Sequence, residues 1–233
     1  VLYPDRDEQR QNEWPGGVED PRLVQAEDGS YVLTYTQWNR EVPKLAVATS
    51  RDLVTWTKHG PAFAGAANGK YLTRETKSGA ILTRRVGNRL VATKVQGKYW
   101  MYFNVPDIHI ATSDDLIHWT PLADADGNML KVLSPRAGYF DSWLVEAGPP
   151  AVLTPRGIVL LYNAGNSGEF GEIHRNSLHP EGRKYVLQQT RRRAVEILRR
   201  EDGRTRFQIA RDQRGMDRSH AGGVRAGDRA FFD

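Results

Sequence analysis

The stretch GGVEDPRLV, residues 16–24, sets Glu19, Asp20 and Arg22 around a proline. Two acids beside a guanidinium suit proton transfer at an acetal. Cleaving a glycosidic bond needs a proton on the leaving oxygen and a nucleophile or activated water at the anomeric carbon. An acid serves near neutrality when burial or a like charge raises its pKa, and Glu19 beside Asp20 offers such a neighbour. Pro21 stiffens the chain, and Arg22 can hold one carboxylate ionised. Taken alone, the tetrapeptide also reads as a turn with a surface salt bridge.

A second acidic stretch is FDSWLVEAGPP, residues 140–150, with Asp141 and Glu146. Glu146 stands between Val145 and Ala147, which predicts partial burial. Buried acids are paired or functional as a rule. The plain alternative is a strand-end glutamate bonded to backbone. A pyranose has an apolar face, and Trp38, Trp100, Tyr102 and Trp143 are the aromatics that could supply a platform for it. The same residues would also serve as core.

These side chains need elements to hold them. SYVLTYTQW (30–38), KLAVATS (44–50), RLVATKV (89–95), KYWMYFNV (98–105), IHIATS (108–113) and GIVLLYN (157–163) read as short strands bounded by Gly, Asn, Asp and Pro. EDGS (27–30), VGNR (86–89) and VQGK (95–98) read as hairpin turns. A repeat links them: VATSRDLVTWT (47–57) matches IATSDDLIHWT (110–120) at an offset of 63 residues. Ser50 with Asp52, and Ser113 with Asp115, can each cap a turn after a strand. Leu53 and Trp56, or Leu116 and Trp119, can then pack on a neighbouring sheet. The unit has the size of a β-propeller blade. The long repeat weighs against a β-sandwich, and the lack of alternating helices weighs against parallel βαβ winding.

The 233-residue chain is long enough for a sizeable core, and its net charge of +5 is unevenly spread. Residues 1–172 carry 18 Lys and Arg against 20 Asp and Glu, whereas residues 173–233 carry 15 against 8. All six tryptophans precede residue 144. We therefore expect two regions: blades over 1–172 and an arginine-rich tail over 173–233. In the tail, KYVLQQTRRRAVEILRR (184–200) places Leu187, Ala194, Val195 and Leu198 at helical spacing.

Several functions lack their signals. Zero cysteines remove disulfides, thiolate metal sites and cysteine nucleophiles. The six histidines show no metal-ligand spacing. DADGN (124–128) has Met129 where a calcium loop needs glycine, so it reads as a turn. No metal or cofactor is expected. There is no apolar run of membrane-spanning length and no nucleic-acid motif beside the basic tail. The expected partner is an oligosaccharide, with no membrane and no nucleic acid. The expected location is a bacterial cytoplasm, with the periplasm kept open because the N-terminus lacks an initiator Met.

GGVEDPRLV, DGSYVLTYT, VATSRDLVTWTKHGP, KSGAIL, GKYWMYF, IHIATSDDLIHWTPL and FDSWLVEAGPPAVLTPRGIVLLYNAGN, in this order over roughly residues 1–166, resemble glycoside hydrolase family 130. That resemblance implies an all-β, five-bladed β-propeller acting on β-mannosides. It implies Asp20 as catalytic acid, Glu19 and Arg22 in its support, and Glu146 as the base that activates water. Lys77 and Ser78 of KSGAIL, with Trp38, Tyr102, Asp107 and Asp141, are the expected sugar-binding residues. An inverting pair would stand about 6.5 to 9.5 Å apart. A phosphorylase would instead use inorganic phosphate as co-substrate, with Arg74, Lys77, Arg84 and Arg85 as its donors. The text of KSGAIL and LVEAGPP favours the hydrolytic branch. A non-catalytic carbohydrate-binding propeller is the remaining reading.

Two features depart from the family pattern. Where related sequences carry a second acid after the KYWMY strand, this chain has Asn104 and Val105, with Asp107 the nearest acid. The family also has about a blade of chain before EDPR and further strands after YNAGN. The expectation is therefore an incomplete ring of about three blades, followed by an irregular or helical basic tail that reads like a frameshifted segment. Unpaired blade faces favour self-association, including homo-oligomers.

Overall fold

The computed structural model describes residues 2–139 and 141–165, and the backbone of two strands at 192–199 and 205–210. Strands dominate it. β1 (Gly17–Gln25), β2 (Tyr31–Trp38), β3 (Lys44–Ser50) and β4 (Thr57–Pro61) form an antiparallel array in chain order. β5 (Ala80–Val86) opens a second array and also pairs with β6 (Arg89–Ala92). β7 (Lys94–Val95), β8 (Lys98–Phe103), β9 (Ile108–Ser113), β10 (Trp119–Pro121) and β11 (Lys131–Leu133) complete it. In the third array, β12 (Leu144–Ala147) and β13 (Ala151–Thr154) both pair with β14 (Gly157–Gly165). Parallel contacts join the arrays: β1 meets β6 at Gln25 and Val91, and β13 runs beside β5 from Ala151 and Leu82.

The apolar residues explain why the arrays stack. Along β8, Tyr99, Met101 and Phe103 enter one core while Trp100 and Tyr102 enter another. A strand buried on both faces reads as a continuous apolar run, as KYWMYF does. The first core also takes Val32, Leu45 and Val47 from the first array. The second takes Val145, Leu160 and Tyr162 from the third. The middle array is thus covered on both sides, which is how successive blades bury their faces.

Both repeat turns form as the sequence predicts. Ser50 Oγ bonds Asp52 Oδ1 at 3.0 Å, and the backbone N–H groups of Val54 and Thr55 donate to that carboxylate oxygen at 2.8 and 2.7 Å. In the second copy Ser113 Oγ bonds Asp115 Oδ1 at 3.1 Å, and Ile117 and His118 N–H donate at 2.9 and 2.8 Å. DADGN is a turn too, closed by Asp126 and Asn128 N–H on Asp124 Oδ1.

The tail differs from expectation. Residues expected to be helical include β15 (Arg192–Arg199), which pairs antiparallel with β14 and with β16 (Thr205–Ala210). In sequence, Val195 and Ile197 are β-branched and alternate with Ala194 and Glu196, so the run also carries a strand pattern. An available edge on β14 decides between the two periods. Leu187 and the rest of the tail lie outside the described residues.

Candidate active site

Asp20 sits on a bulge. β1 pairs Glu19 with Thr36 and Arg22 with Thr34, so two residues of β1 oppose one of β2. Pro21 brings no N–H to the ladder, and Asp20 takes φ 52°, a left-handed value that Asp tolerates better than most residues. The bulge turns the Asp20 carboxylate toward Thr36, Lys77 and Ser78. Its Oδ2 lies 3.4 Å from Lys77 Nζ and 3.5 Å from both Thr36 Oγ1 and Ser78 Oγ.

Glu146 arrives from β12. Ser78 Oγ donates to its Oε1 at 2.6 Å, Asn163 Nδ2 donates to its Oε2 at 3.1 Å, and Lys77 Nζ stands 3.7 Å from Oε1. Glu146 and Asp20 therefore share one hydroxyl and one ammonium. The two contacts of Ser78 Oγ, 2.6 and 3.5 Å, cap the distance between their facing oxygens at about 6.1 Å. The two acids therefore face one another closely enough to act on one bond, the range for inverting pairs being roughly 6.5 to 9.5 Å between whole carboxyl groups. Partial burial is as expected for Glu146, whose side chain is 19% exposed, against 33% for Asp20.

The motif glycines have steric reasons. A Cβ on Gly79 would come within 2.8 Å of Met101 Sδ, and one on Gly148 within 2.6 Å of Leu161 O. KSGAIL and EAGPP thus bring their backbones against neighbouring strands, and so bring Ser78 and Glu146 together. Ser78 (φ 58°) and Asn104 (φ 84°) share the left-handed backbone of Asp20. Asn104 ties the segments: its N–H donates to Lys77 O at 2.8 Å, and Ala147 N–H donates to its O at 3.4 Å.

Several expected residues lie elsewhere or act differently. Arg22 does not clamp a carboxylate. Its guanidinium donates to the carbonyls of Gly148 (2.6 Å), Asp20 (2.7 Å) and Ala147 (2.7 Å). It fastens the bulge to the end of β12, which brings Asp20 and Glu146 into register. Burial lowers the Arg22 pKa from its ordinary value, against the charges of Asp20 and Glu146, which raise it. Glu19 is exposed. Asp141 is fully buried, held by Arg136 at 2.8 Å and by the Tyr162 hydroxyl at 2.9 Å. That makes it a core ion pair, closed to a sugar.

Tyr102 and Trp100 are core residues as well, 0% and 5% exposed. Asp107 pairs with Lys131 at 2.8 Å. Trp38 is part-exposed and lies two residues from Thr36, on the same side of β2. Trp143 is exposed. Arg84 and Arg85 sit near the far end of β5, roughly 20 Å from Ser78 at the usual strand rise. There they meet Glu27 and Gly87 O. Arg74 is exposed in the preceding loop. None of these three joins the pair. Thr36 and Asn163 belong to the cluster but carry no sequence signal of their own, since only the registers of β1 with β2 and of β12 with β14 place them there.

A cleft of about 690 Å³ opens at the opposite strand ends, between the two repeat turns. Its lining includes Asp28, Asp52, Tyr99 and Asp115 but neither Asp20 nor Glu146. Among the described residues no group of three or more His, Asp or Glu is placed to hold a metal ion.

The model of the β-1,4-mannooligosaccharide phosphorylase family, glycoside hydrolase family 130, matches residues 7–196. A 1,2-β-oligomannan phosphorylase of Thermoanaerobacter sp. (strain X514) is 29% identical over 154 residues, 64% of this chain and 43% of that protein. A crystal structure of a glycosyl hydrolase from Bacteroides ovatus is 60% identical and superposes with a TM-score of 0.70, over 72% of this chain and 47% of that one. A structure from the work showing that this family of mannoside phosphorylases contains glycoside hydrolases targeting β-1,2 mannosidic linkages in Candida mannan is 56% identical. Its TM-score is 0.71, over 72% and 47% of the two chains. The chain spans just under half the length of these relatives. With that family's model matching residues 7–196, more than half of its length, the chain belongs to glycoside hydrolase family 130.

Proposed function

We propose that this chain carries the acid and base of an inverting β-mannosidase, built on a five-bladed β-propeller. Asp20 gives its proton to the departing glycosidic oxygen, directly or through a sugar hydroxyl. Glu146 takes a proton from the water that attacks the anomeric carbon. The C–O bond to the leaving sugar breaks as the bond to water forms, and the product has the opposite anomeric configuration. Lys77 and Ser78 hold both carboxylates toward the bond, Trp38 faces the sugar, and Arg22 keeps the two strands in register. The observation that carries this reading is the sharing of Ser78 and Lys77 by Asp20 and Glu146. The propeller is supported by the repeat and by the stacking of the middle array between two cores.

Hydrolysis is favoured over phosphorolysis by the placement of cations. Phosphate needs several donors around it. Arg74, Arg84 and Arg85 stand apart from the pair, Arg22 is committed to carbonyls, and among the cations of the described residues Lys77 alone contacts both acids. Phosphorolysis remains the second reading because the Thermoanaerobacter relative is a phosphorylase.

The deciding experiment is incubation with β-1,2-mannobiose, with and without phosphate, followed by proton NMR of the first product. We expect mannose, independent of phosphate, released first as the α-anomer. Phosphate-dependent mannose 1-phosphate would replace the hydrolytic reading. Release of the β-anomer would make Glu146 a nucleophile, a role that the short facing distance also fits. Binding without any product would leave a carbohydrate-binding protein.

A further inference from the structure

Three backbone segments carry the acid–base pair: the β1 bulge with Asp20, residues 77–79 with Lys77 and Ser78, and the end of β12 with Glu146. Arg22 ties the bulge to the end of β12, and the Asn104 backbone ties Lys77 to Ala147. The tie from β2, under the bulge, to residues 77–79 comes from Thr34. This residue is fully buried, and its Oγ1 donates to Gly79 O at 2.6 Å. Arg22 O is a longer contact of the same hydroxyl at 3.3 Å. A hydroxyl has one proton, so the shorter contact takes it. Thr34 pairs with Arg22 where the bulge ends, and two residues along the same face Thr36 Oγ1 lies 3.5 Å from Asp20 Oδ2. One face of β2 thus touches both Asp20 and the segment that carries Ser78.

Strand propensity and shape would be met as well by valine. Valine lacks the hydroxyl, and without it Gly79 O loses a buried donor. Gly79 is hemmed in on its other side, where a Cβ would come within 2.8 Å of Met101 Sδ and 3.0 Å of Leu45 Cδ1. The Thr34 bond therefore fixes the peptide next to Ser78. We propose that Thr34 is a positioning residue for the Asp20–Glu146 pair: through Gly79 O it holds Ser78 Oγ 2.6 Å from Glu146 Oε1 and 3.5 Å from Asp20 Oδ2. This rests on the reading of the two carboxylates as acid and base. Thr34 touches neither of them and acts only by setting where their shared hydroxyl stands.

The chain supplies its own control. Thr83 is equally buried, and its Oγ1 donates to Ala151 O at 2.7 Å, joining the second and third arrays as Thr34 joins the first and second. That bond sits five residues along from both Ser78 and Glu146. The test measures kcat and KM on β-1,2-mannobiose, with Tm, for wild type, Thr34→Val, Thr34→Ser and Thr83→Val. We expect both valine variants to lower Tm by similar amounts. Thr34→Val alone should lower kcat, by about ten- to a hundredfold with KM little changed, as displacement of a reacting group does. Thr34→Ser keeps the hydroxyl and should restore kcat to within about threefold of wild type. In a Ser78→Gly background, which suits the left-handed backbone and removes the shared hydroxyl, Thr34→Val should cost little more. If Thr34→Val does not fold, Thr34→Ala against Thr83→Ala carries the same comparison. Unchanged kcat in the Thr34 variant, equal kcat losses at Thr34 and Thr83, or no rescue by serine overturns the proposal. Failure of the acid–base reading looks different: the wild type cleaves nothing, which ends both, or Asp20→Asn and Glu146→Gln keep wild-type kcat.

Discussion

The two ends of the strands handle strained backbone in different ways. At the turn end, Leu53 (φ 63°) and Leu116 (φ 68°) are left-handed, and each amide N–H is tied to a serine Oγ at 2.9 Å. The Asp carboxylate of each turn collects two more backbone N–H groups, so this end satisfies itself. At the other end, Asp20, Ser78 and Asn104 are left-handed too. Here the carboxylate contacts of Lys77 are 3.4 and 3.7 Å, and the Asn104 amide oxygen has no partner among the described residues. Left-handed residues alone thus do not mark a functional site. At the candidate site the strain coincides with polar groups held in incomplete pairing.

That contrast breaks most sharply under exchange of the acids. Asp20→Asn and Glu146→Gln keep shape and remove charge. Each should lower kcat by about 10²–10⁴, as loss of a general acid or base does, while the melting temperature stays near that of the wild type. Asp115→Ala should do the reverse, lowering Tm and leaving kcat on β-mannobiose in place. Paired activity and thermal-unfolding measurements on the three variants check this. If Asp20→Asn lowers Tm while retaining specific activity, the Asp20 bulge is structural and the distinction between the two ends is lost.

The ends also differ in how readable they are from sequence. The repeat turns were legible because all their bonds lie within six residues, from Ser50 to Thr55 and from Ser113 to His118. Strands with continuous apolar text, such as KYWMYF, were equally plain. β1 was legible as chemistry and not as a strand, because a proline and three charges mask its pattern while a bulge accommodates them. RLVATKV reads as one strand but splits at Thr93, whose N–H goes to Leu82 O and whose flanks serve different sheets. Asp20, Glu146, Lys77 and Ser78 came from motif text and do meet in space. The roles of Arg22, Asp141 and Asn163 did not come through, since each is set by partners far along the chain or across a register.

A smaller effect separates the two copies of the repeat. Leu116 is 4% exposed, within the core that joins the first two arrays, whereas Leu53 is 43% exposed. Both leucine N–H groups are held by a serine Oγ at 2.9 Å, so burial is what separates the two leucines. Leu116→Ala should cost about 2–5 kcal/mol in urea unfolding, the range for emptying a buried leucine site. Leu53→Ala should stay within about 1 kcal/mol, as for substitutions away from the core. Equal losses at both positions would mean that the turn, and not the neighbouring array, sets the stability of the repeat.

The smallest effect concerns acid. Thr55 and Val54 N–H groups, with the Ser50 hydroxyl, hold the Asp52 carboxyl down at about 2. Burial would raise the Asp115 carboxyl, but the His118 side chain and the N–H groups of His118 and Ile117 outweigh it, and its pKa is also lowered. An ordinary unfolded Asp titrates near ~3.9. A depressed folded pKa means that the unfolded chain takes up protons first as pH falls. The stabilisation from Asp52 is therefore whole above about pH 4 and is lost as pH drops toward 2. Asp52 is well exposed to solvent, so this loss is small and shrinks further in salt. Asp52→Asn should remove the titrating group and flatten that part of the profile. The check is the urea midpoint at pH 5 and pH 2.5 for wild type and variant: the wild type should lose more between the two values, and parallel losses would show that the Asp52 turn contributes no acid-sensitive stability.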